Sequence, residues 1–242
     1  MAAIALAAPR AARPSFPGLV LLAALAAACA SAPPPAPAGD ERPWQLPASE
    51  LGQQSLFKLN YRGREGGASL KLVLRLRAEE AYQLAAADVF GRPLWMLATD
   101  GARPLWVDFR AERWCPLGDT VRLPDLGLPD LPLRAVPALL LGRVPLPPAE
   151  RGASPSDYRD ADGHRWTVSL DGAEVEAWTY WDGDKPRLWF TAQAGEMVLS
   201  AREREAQLRW RRSLREPIAA AMSAVAPPAG FAEGACDEPR LP

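Results

Sequence analysis

Histidine is almost absent from this chain: His164 is the single one among 242 residues. A metal centre needs several ligands and a nucleophilic triad needs a base beside its nucleophile, and one histidine without a nameable partner supplies neither. No glycine-rich phosphate loop and no nucleophile elbow occur. Charge of one sign is missing too, with 28 Lys and Arg against 29 Asp and Glu. That balance implies neither a nucleic-acid partner nor a strongly anionic surface. Cysteine is scarce, limited to Cys29, Cys115 and Cys236. The one long apolar run, residues 16–28, is too short to span a bilayer comfortably. Residues 160–163 faintly resemble the start of a calcium loop, but the glutamate that closes such a loop is absent, with Asp171 near its place. Turn residues between strands explain the same letters, and those around Asp182 and Asp184. No enzyme, metal or cofactor is expected, and His164 reads as an exposed residue where a strand begins.

What is present begins at the N-terminus. Arg10 and Arg13 precede the apolar run without any acid, and small residues lead to Cys29. A basic start, a short apolar middle and small residues before a cut describe a secretory signal over residues 1–28. A cysteine in that place resembles a bacterial lipobox, which implies an acylated Cys29 as the mature N-terminus. Ala26 stands where a leucine is usual, and Leu25 is one place early. An ordinary signal with an incidental cysteine and a retained anchor stay open as alternatives. Residues 29–43 then read as a lipidated start and a Pro/Ala-rich tether, extended and semi-rigid. By the same resemblance, Ala30 after the cysteine carries no inner-membrane retention signal. That implies a lipid anchor in the outer membrane, on its periplasmic face.

Removing residues 1–28 from the 242 leaves 214, enough for one large all-β domain or two small ones. Nine tryptophans supply large apolar area to a core or a cleft. If Cys29 is acylated, Cys115 and Cys236 are an even pair in an oxidising compartment, and a disulfide between them would pin the C-terminal tail to the middle of the domain. Two unrelated thiols are the alternative.

From Leu56 the apolar period is two. Phe57, Leu59 and Tyr61 alternate with polar residues, a Gly-rich turn follows at 63–67, and Leu70, Leu72 and Leu74 alternate again. This predicts a half-buried antiparallel hairpin. Further strands are expected around 82–86, 94–97, 105–109 and 113–116. Prolines exclude helix and central strand over 116–134, leaving a loop whose leucines dock on the domain. A short helix is expected over 136–142, with Pro at its start and Gly past its end. A second β run covers 165–211, and a helix is expected over 217–225. A short helix or an irregular lead-in is expected over 44–54.

Simple up-down order with one-sided alternation predicts a mainly β fold: a single curved antiparallel sheet forming an open half-barrel over 44–242, covered by a few short helices. Its inward set would be Phe57, Leu59, Tyr61, Leu70, Leu72, Leu74, Leu84, Leu94, Met96, Leu105, Val107, Trp166, Val168, Leu188, Phe190, Met197, Leu199, Leu208 and Trp210. One reading is a closed core. The other is an apolar cleft open on one side, because one sheet with few helices leaves much apolar surface to cover. Each CH2 of a bound acyl chain would contribute about 0.8 kcal/mol there.

Three segments in order carry a resemblance to a family: Tyr82 to Gly91 with its turn at Asp88, Val89 and Phe90; residues 135–146 with a Leu-Gly-x-x-Pro phrase; and residues 162–168 with 186–190. Together they resemble the LolA/LolB family of lipoprotein carriers, in particular its outer-membrane, LolB-like member. The resemblance covers about residues 50–215. It implies a cavity for the acyl chains of lipoproteins or other lipids, a LolA-like periplasmic carrier as partner, membrane contact through the lipid anchor, and a monomer that binds no nucleic acid. It also implies that Phe90, at the protruding apolar turn, helps transfer cargo to the membrane. The degenerate lipobox, the proline-rich stretch at 116–134 and the Cys236 tail depart from the family pattern. An envelope scaffold lipoprotein, or a periplasmic lipid-binding sensor with the same fold, is the alternative.

Overall fold

Period-two alternation becomes strand nearly everywhere it occurs. The computed structural model describes residues 43–64, 66–121, 130–151, 156–203, 205–218 and 225–234. The expected signal, Cys29, the tether to residue 42 and Cys236 lie outside them. Strands β1 (Gln53–Gly63) and β2 (Gly66–Ala78) form the expected hairpin, with Phe57 opposite Leu72 and Leu59 opposite Leu70. The meander continues through β3 (Ala81–Ala87), β4 (Pro93–Asp100), β5 (Leu105–Asp108) and β6 (Arg113–Pro116). Two short strands, β7 (Thr120–Val121) and β8 (Leu131–Pro132), pair only with each other. A six-residue helix, α1 (Ala135–Leu140), follows, with every residue buried.

The second run comprises β9 (Glu150–Arg151), β10 (Asp157–Arg159), β11 (Arg165–Asp171), β12 (Glu174–Asp182), β13 (Lys185–Gln193), β14 (Glu196–Ala201) and β15 (Ala206–Pro217). A last short strand, β16 (Ala232–Glu233), adds to β6 in parallel. Pairing of β1 with β15 joins the two meanders into one sheet, ordered β16-β6-β5-β4-β3-β2-β1-β15-β14-β13-β12-β11-β10-β9. The sheet is curved and does not close, so the fold is the expected open, mainly β architecture. Register shifts at Leu56/Phe57, Ala86/Ala87 and Tyr180/Trp181 add the local bends that a flat ladder lacks.

Helix is sparse. Residues 44–54 contribute a 3-10 turn at Ala48–Glu50. The β15 strand runs on to Pro217, where a helix was expected to start, and residues 219–224 lie outside the described ones. The mid-chain helix is where the sequence places it. Gly142 just past its end has φ +75, and a Cβ there would sit 3.2 Å from the Phe190 ring, so both conformation and space call for glycine.

Glu41–Pro242 forms a compact unit by itself. Its core is one cluster on one face of the sheet, from Phe57 in β1 to Trp210 in β15. The chain leaves β6, passes through β7, β8 and α1, and reaches β9 at the far edge of the sheet. Val121, Leu131, Leu133, Val136, Leu139, Leu140 and Val144 of that crossing segment belong to the same cluster. The segment therefore lies on the apolar face and supplies its second layer.

Candidate functional site

The apolar face has two halves of different chemistry. On β1 to β4 it is mostly leucine: Leu59, Leu70, Leu72, Leu74, Leu76, Leu84 and Leu97 are all buried. On β11 to β15 it is an aromatic series. The Trp166 and Tyr180 rings lie 4.9 Å apart, Trp178 stacks on Phe190 at 5.3 Å, and Phe190 meets Trp210 at 5.9 Å. Registered pairs Trp166–Tyr180 and Trp178–Phe190 on adjacent strands produce this order directly.

In each half a polar side chain of the sheet holds the crossing segment. In the leucine half, the Tyr82 hydroxyl donates to the Leu133 carbonyl at 2.7 Å, just before α1. In the aromatic half, Trp210 Nε1 donates to the Leu140 carbonyl at 2.9 Å, at the end of α1. Burial pushes the Tyr82 hydroxyl well above the ordinary tyrosine range, so it stays a donor. Arg143, itself buried, donates to the Ala173 carbonyl at 3.2 Å and reaches the exposed Glu174 carboxylate at 3.5 Å. That ties the end of the segment to the β11–β12 turn. Trp178 Nε1 differs from these: it is buried and has no hydrogen-bond partner among the described residues.

Most predicted cavity residues meet on this face. Phe57, Leu59, Leu70, Leu72, Leu74, Leu84, Leu94, Trp166, Val168, Leu188, Phe190, Leu199, Leu208 and Trp210 are in the buried cluster, and Tyr61 and Met197 pack against it half-buried. Met96, Leu105 and Val107 do not join them. Leu97 pairs with Leu84 and Trp106, so its neighbour Met96, which pairs with Val107, lies on the opposite face, as does Leu105 opposite Ala98. The cause is legible: residues 94–98 are apolar in both phases of the alternation, so period two selects no face there. Trp95, Leu97 and Trp106 face inward instead, and Trp95 stacks on Trp106 at 4.9 Å. Their size was the available signal, since large rings gain most from a core. Leu76, Tyr82, Trp178 and Tyr180 also belong to the cluster and were missed.

In this structure the face is covered. Phe57, Leu188, Phe190 and Leu199 have no exposed surface because the crossing segment covers them. A cavity of about 390 Å³ does occur, but at the β4–β5 turn, where Glu80, Thr99, Asp119 and Arg134 line it together with Pro104, Pro132 and Leu133.

The turn from β3 to β4 carries Phe90, at 83% the most exposed large apolar side chain among the described residues, beside Val89 at 50%. Asp88 builds it. Its carboxylate accepts from the backbone N–H of Phe90 and of Arg92, each at 2.9 Å, and from Arg92 Nε at 2.6 Å. Burial works against ionisation of Asp88, but the bonds from Arg92, its charge and the Phe90 N–H outweigh it and hold the carboxyl below its ordinary range. Phe90 thus projects from a braced turn, with the Arg92 guanidinium 5.6 Å from its ring centroid.

His164 is half-buried rather than exposed. Its Nδ1 is 3.3 Å from Asp160, and its ring meets Tyr180 edge-on at 5.3 Å. Asp160, Asp162 and His164 could bring one ligand atom each within 4.8 Å of one another. The buried Asp160 carboxylate is already engaged, however. It accepts from the N–H groups of Asp162 and His164 and from Trp166 Nε1 at 3.1 Å, closing the turn into β11.

Cys115, opposite Trp106 on β6, is disulfide-bonded. Beside it, β16 pairs with β6, Ala232 opposite Arg113 and Glu233 opposite Trp114, and the Gly234 N–H donates to the Trp114 carbonyl. Among the described residues, no helix is long and apolar enough to cross a membrane.

The site is thus an apolar half-barrel face closed by a strapped segment. No family model and no curated protein matches this chain. Solved structures do. A LolA superfamily protein from Nitrosomonas europaea is similar at 6% identity and TM-score 0.46, over 74% of this chain and 90% of its own. A domain named for outer membrane lipoprotein sorting, from Vibrio parahaemolyticus, is similar at 9% identity and TM-score 0.45, over 71% and 87%. A DUF1329 family protein from Desulfovibrio piger is similar at 9% identity and TM-score 0.44, over 71% and 88%.

Proposed function

We propose that this chain is a lipid-anchored envelope protein that binds acyl chains on the apolar face of its sheet and receives or inserts lipoproteins. The observation that carries the reading is how that face is covered. A continuous apolar surface across both halves is closed by one crossing segment, whose polar fastenings to the sheet include Tyr82–Leu133 and Trp210–Leu140. Such a cover can be displaced by an acyl chain at modest polar cost, because each fastening contributes about 1 kcal/mol net. The displaced apolar contacts are replaced by those of the acyl chain. Acylation of Cys29, an outer-membrane address and a Cys115–Cys236 bond that clamps the tail are parts of the same proposal. Transfer is passive: no residue is assigned a catalytic role.

The test is native mass spectrometry of residues 30–242 mixed with a purified acylated lipoprotein. A stoichiometric adduct, reduced when Leu72 or Leu84 is changed to Asp in a variant that still folds, supports the reading. Absence of any adduct or bound lipid overturns it. One observation favours the second reading, a scaffold lipoprotein with a permanently closed core: the complete burial of Phe57, Leu188 and Phe190. Peptide mapping without reduction checks the disulfide.

A further inference from the structure

Three tryptophans of the aromatic half are almost wholly buried: Trp166, Trp178 and Trp210. Two of their indole N–H groups have partners. Trp166 Nε1 donates to the Asp160 carboxylate at 3.1 Å, and Trp210 Nε1 donates to the Leu140 carbonyl at 2.9 Å. Trp178 lies between them in the ring series and is 1% exposed, yet its Nε1 reaches no acceptor among the described residues. A buried donor left unpaired costs free energy that an apolar side chain in its place would not. Its ring neighbours cannot relieve it. Trp166 and Phe190 each lie 5.3 Å away, and neither side chain carries an acceptor. A trapped water needs about two to four polar partners. These rings add none, because Phe190 has no polar atom and Trp166 Nε1 is spent on Asp160. The position is also next to the cover: the Phe190 ring, on which Trp178 stacks, is 3.2 Å from where a Cβ on Gly142 of the crossing segment would sit.

We propose that Trp178 Nε1 is the donor for the ester carbonyl of an acyl lipid bound between the sheet and the crossing segment. The carbonyl end lies in the aromatic half, and the hydrocarbon lies over the leucine half. The inference rests on the carrier reading, and it adds which atom of the ligand is recognised and which way round the ligand lies. A hydrocarbon chain alone has no acceptor, so it would leave the donor as unpaired as the cover does. An ester places one carbonyl at the end of an otherwise apolar chain. That matches an apolar face whose buried side chains hold one unused donor among the described residues. A free carboxylate fits less well, because burying an anion against one neutral donor costs far more than one hydrogen bond returns. Acylglycerol esters occur on acylated lipoproteins and on phospholipids, and the group recognised is the same in both.

The experiment compares ligands that differ only in that carbonyl, using residues 30–242, which carry the whole compact unit from Glu41. Palmitoyl lysophosphatidylcholine is set against its hexadecyl ether analogue. A dipalmitoylglyceryl-cysteine peptide is set against its dialkyl ether analogue. Calorimetric titration below the micelle concentration reads the affinities. The ester is expected to bind about tenfold tighter than the ether in at least one pair, as a buried donor regains a partner. The pair that shows the preference identifies the source of the ester. Trp178→Phe should bring ester and ether to equal affinity. In proton–nitrogen spectra, the indole signal missing from Trp178→Phe should move downfield with the ester and stay in place with the ether. Equal binding of ester and ether in both pairs overturns this inference and leaves the carrier reading standing. That comparison uses the unaltered chain, so it decides the matter even where Trp178→Phe fails to fold. A preference that survives in folded Trp178→Phe also overturns it, by assigning the carbonyl to another donor. No binding of any of these ligands removes the carrier reading and this inference with it.

Discussion

The leucine half and the aromatic half of the sheet do the same job with different materials. Leucines from β1 to β4 fill space with many small, interchangeable contacts, and Tyr82 adds a polar bond to the crossing segment. The aromatic half uses fewer, larger plates, and each ring's position depends on the one beside it, from Trp166 through Trp178 and Phe190 to Trp210. The aromatic half has fewer ways to rearrange around a defect. Under the proposed carrier function, the leucine side is the one expected to loosen.

Matched truncations give the sharpest test of that contrast. Trp210→Ala should cost about 4–5 kcal/mol, because it leaves a large cavity and orphans the Leu140 carbonyl, whereas Leu74→Ala should cost about 2–4 kcal/mol. Urea unfolding measures both, and a larger loss at Leu74 would break the comparison. The next effect isolates the hydrogen bond. Trp210→Phe and Trp178→Phe remove the same atoms from the same series, but only Trp210 Nε1 has a partner. The first should be the more destabilising by about 1–2 kcal/mol.

A smaller effect is expected at Tyr82. Tyr82→Phe should cost about 1 kcal/mol at neutral pH. It should also flatten the alkaline limb of the stability curve. Burial raises the Tyr82 hydroxyl in the folded state, and burial with the Asp160 charge pushes Tyr180 up to about 12. Both tyrosines therefore hold their protons more tightly folded than unfolded. Stability is complete below the unfolded value of about 10 and is lost as pH rises above it. Unfolding free energies between neutral and strongly alkaline pH check the slope.

The smallest effect is at Asp88. Its carboxyl is held below the ordinary range, so its bonds to the turn are present above the unfolded value and are lost only as pH falls through the lower folded one. Phe90 should stay braced from neutral into mildly acid solution and loosen in strong acid. Asp88→Ala should loosen it at every pH. Amide exchange at Phe90 and Arg92 reads both changes.

Much of this was legible beforehand, and particular residues show where legibility ended. The β1–β2 hairpin could be read because Phe57, Leu59, Leu70, Leu72 and Leu74 alternate with polar residues, so only one phase can face a core. The α1 helix could be read from Pro137 and Gly142. In residues 94–98 both phases are apolar, and the sheet's inward face was set by Trp95 and Trp106, whose rings stack only after β4 and β5 pair. The Phe90 turn was placed correctly, but its bracing by Asp88 through Arg92 was not, because side-chain bonds to backbone N–H groups depend on the turn's dihedral angles.

Sequence by itself determined the strand periods, the turns and the mainly β class, since these follow from residue-by-residue sterics and from which side chains avoid water. Tertiary structure alone decided three things. It joined β1 to β15 and so made one open sheet from two meanders. It laid β7, β8 and α1 against the apolar face as a cover. It also aligned Lys58, Lys71 and Arg211, which are far apart along the chain, into one row. Each depends on contacts between distant segments, which no local pattern encodes.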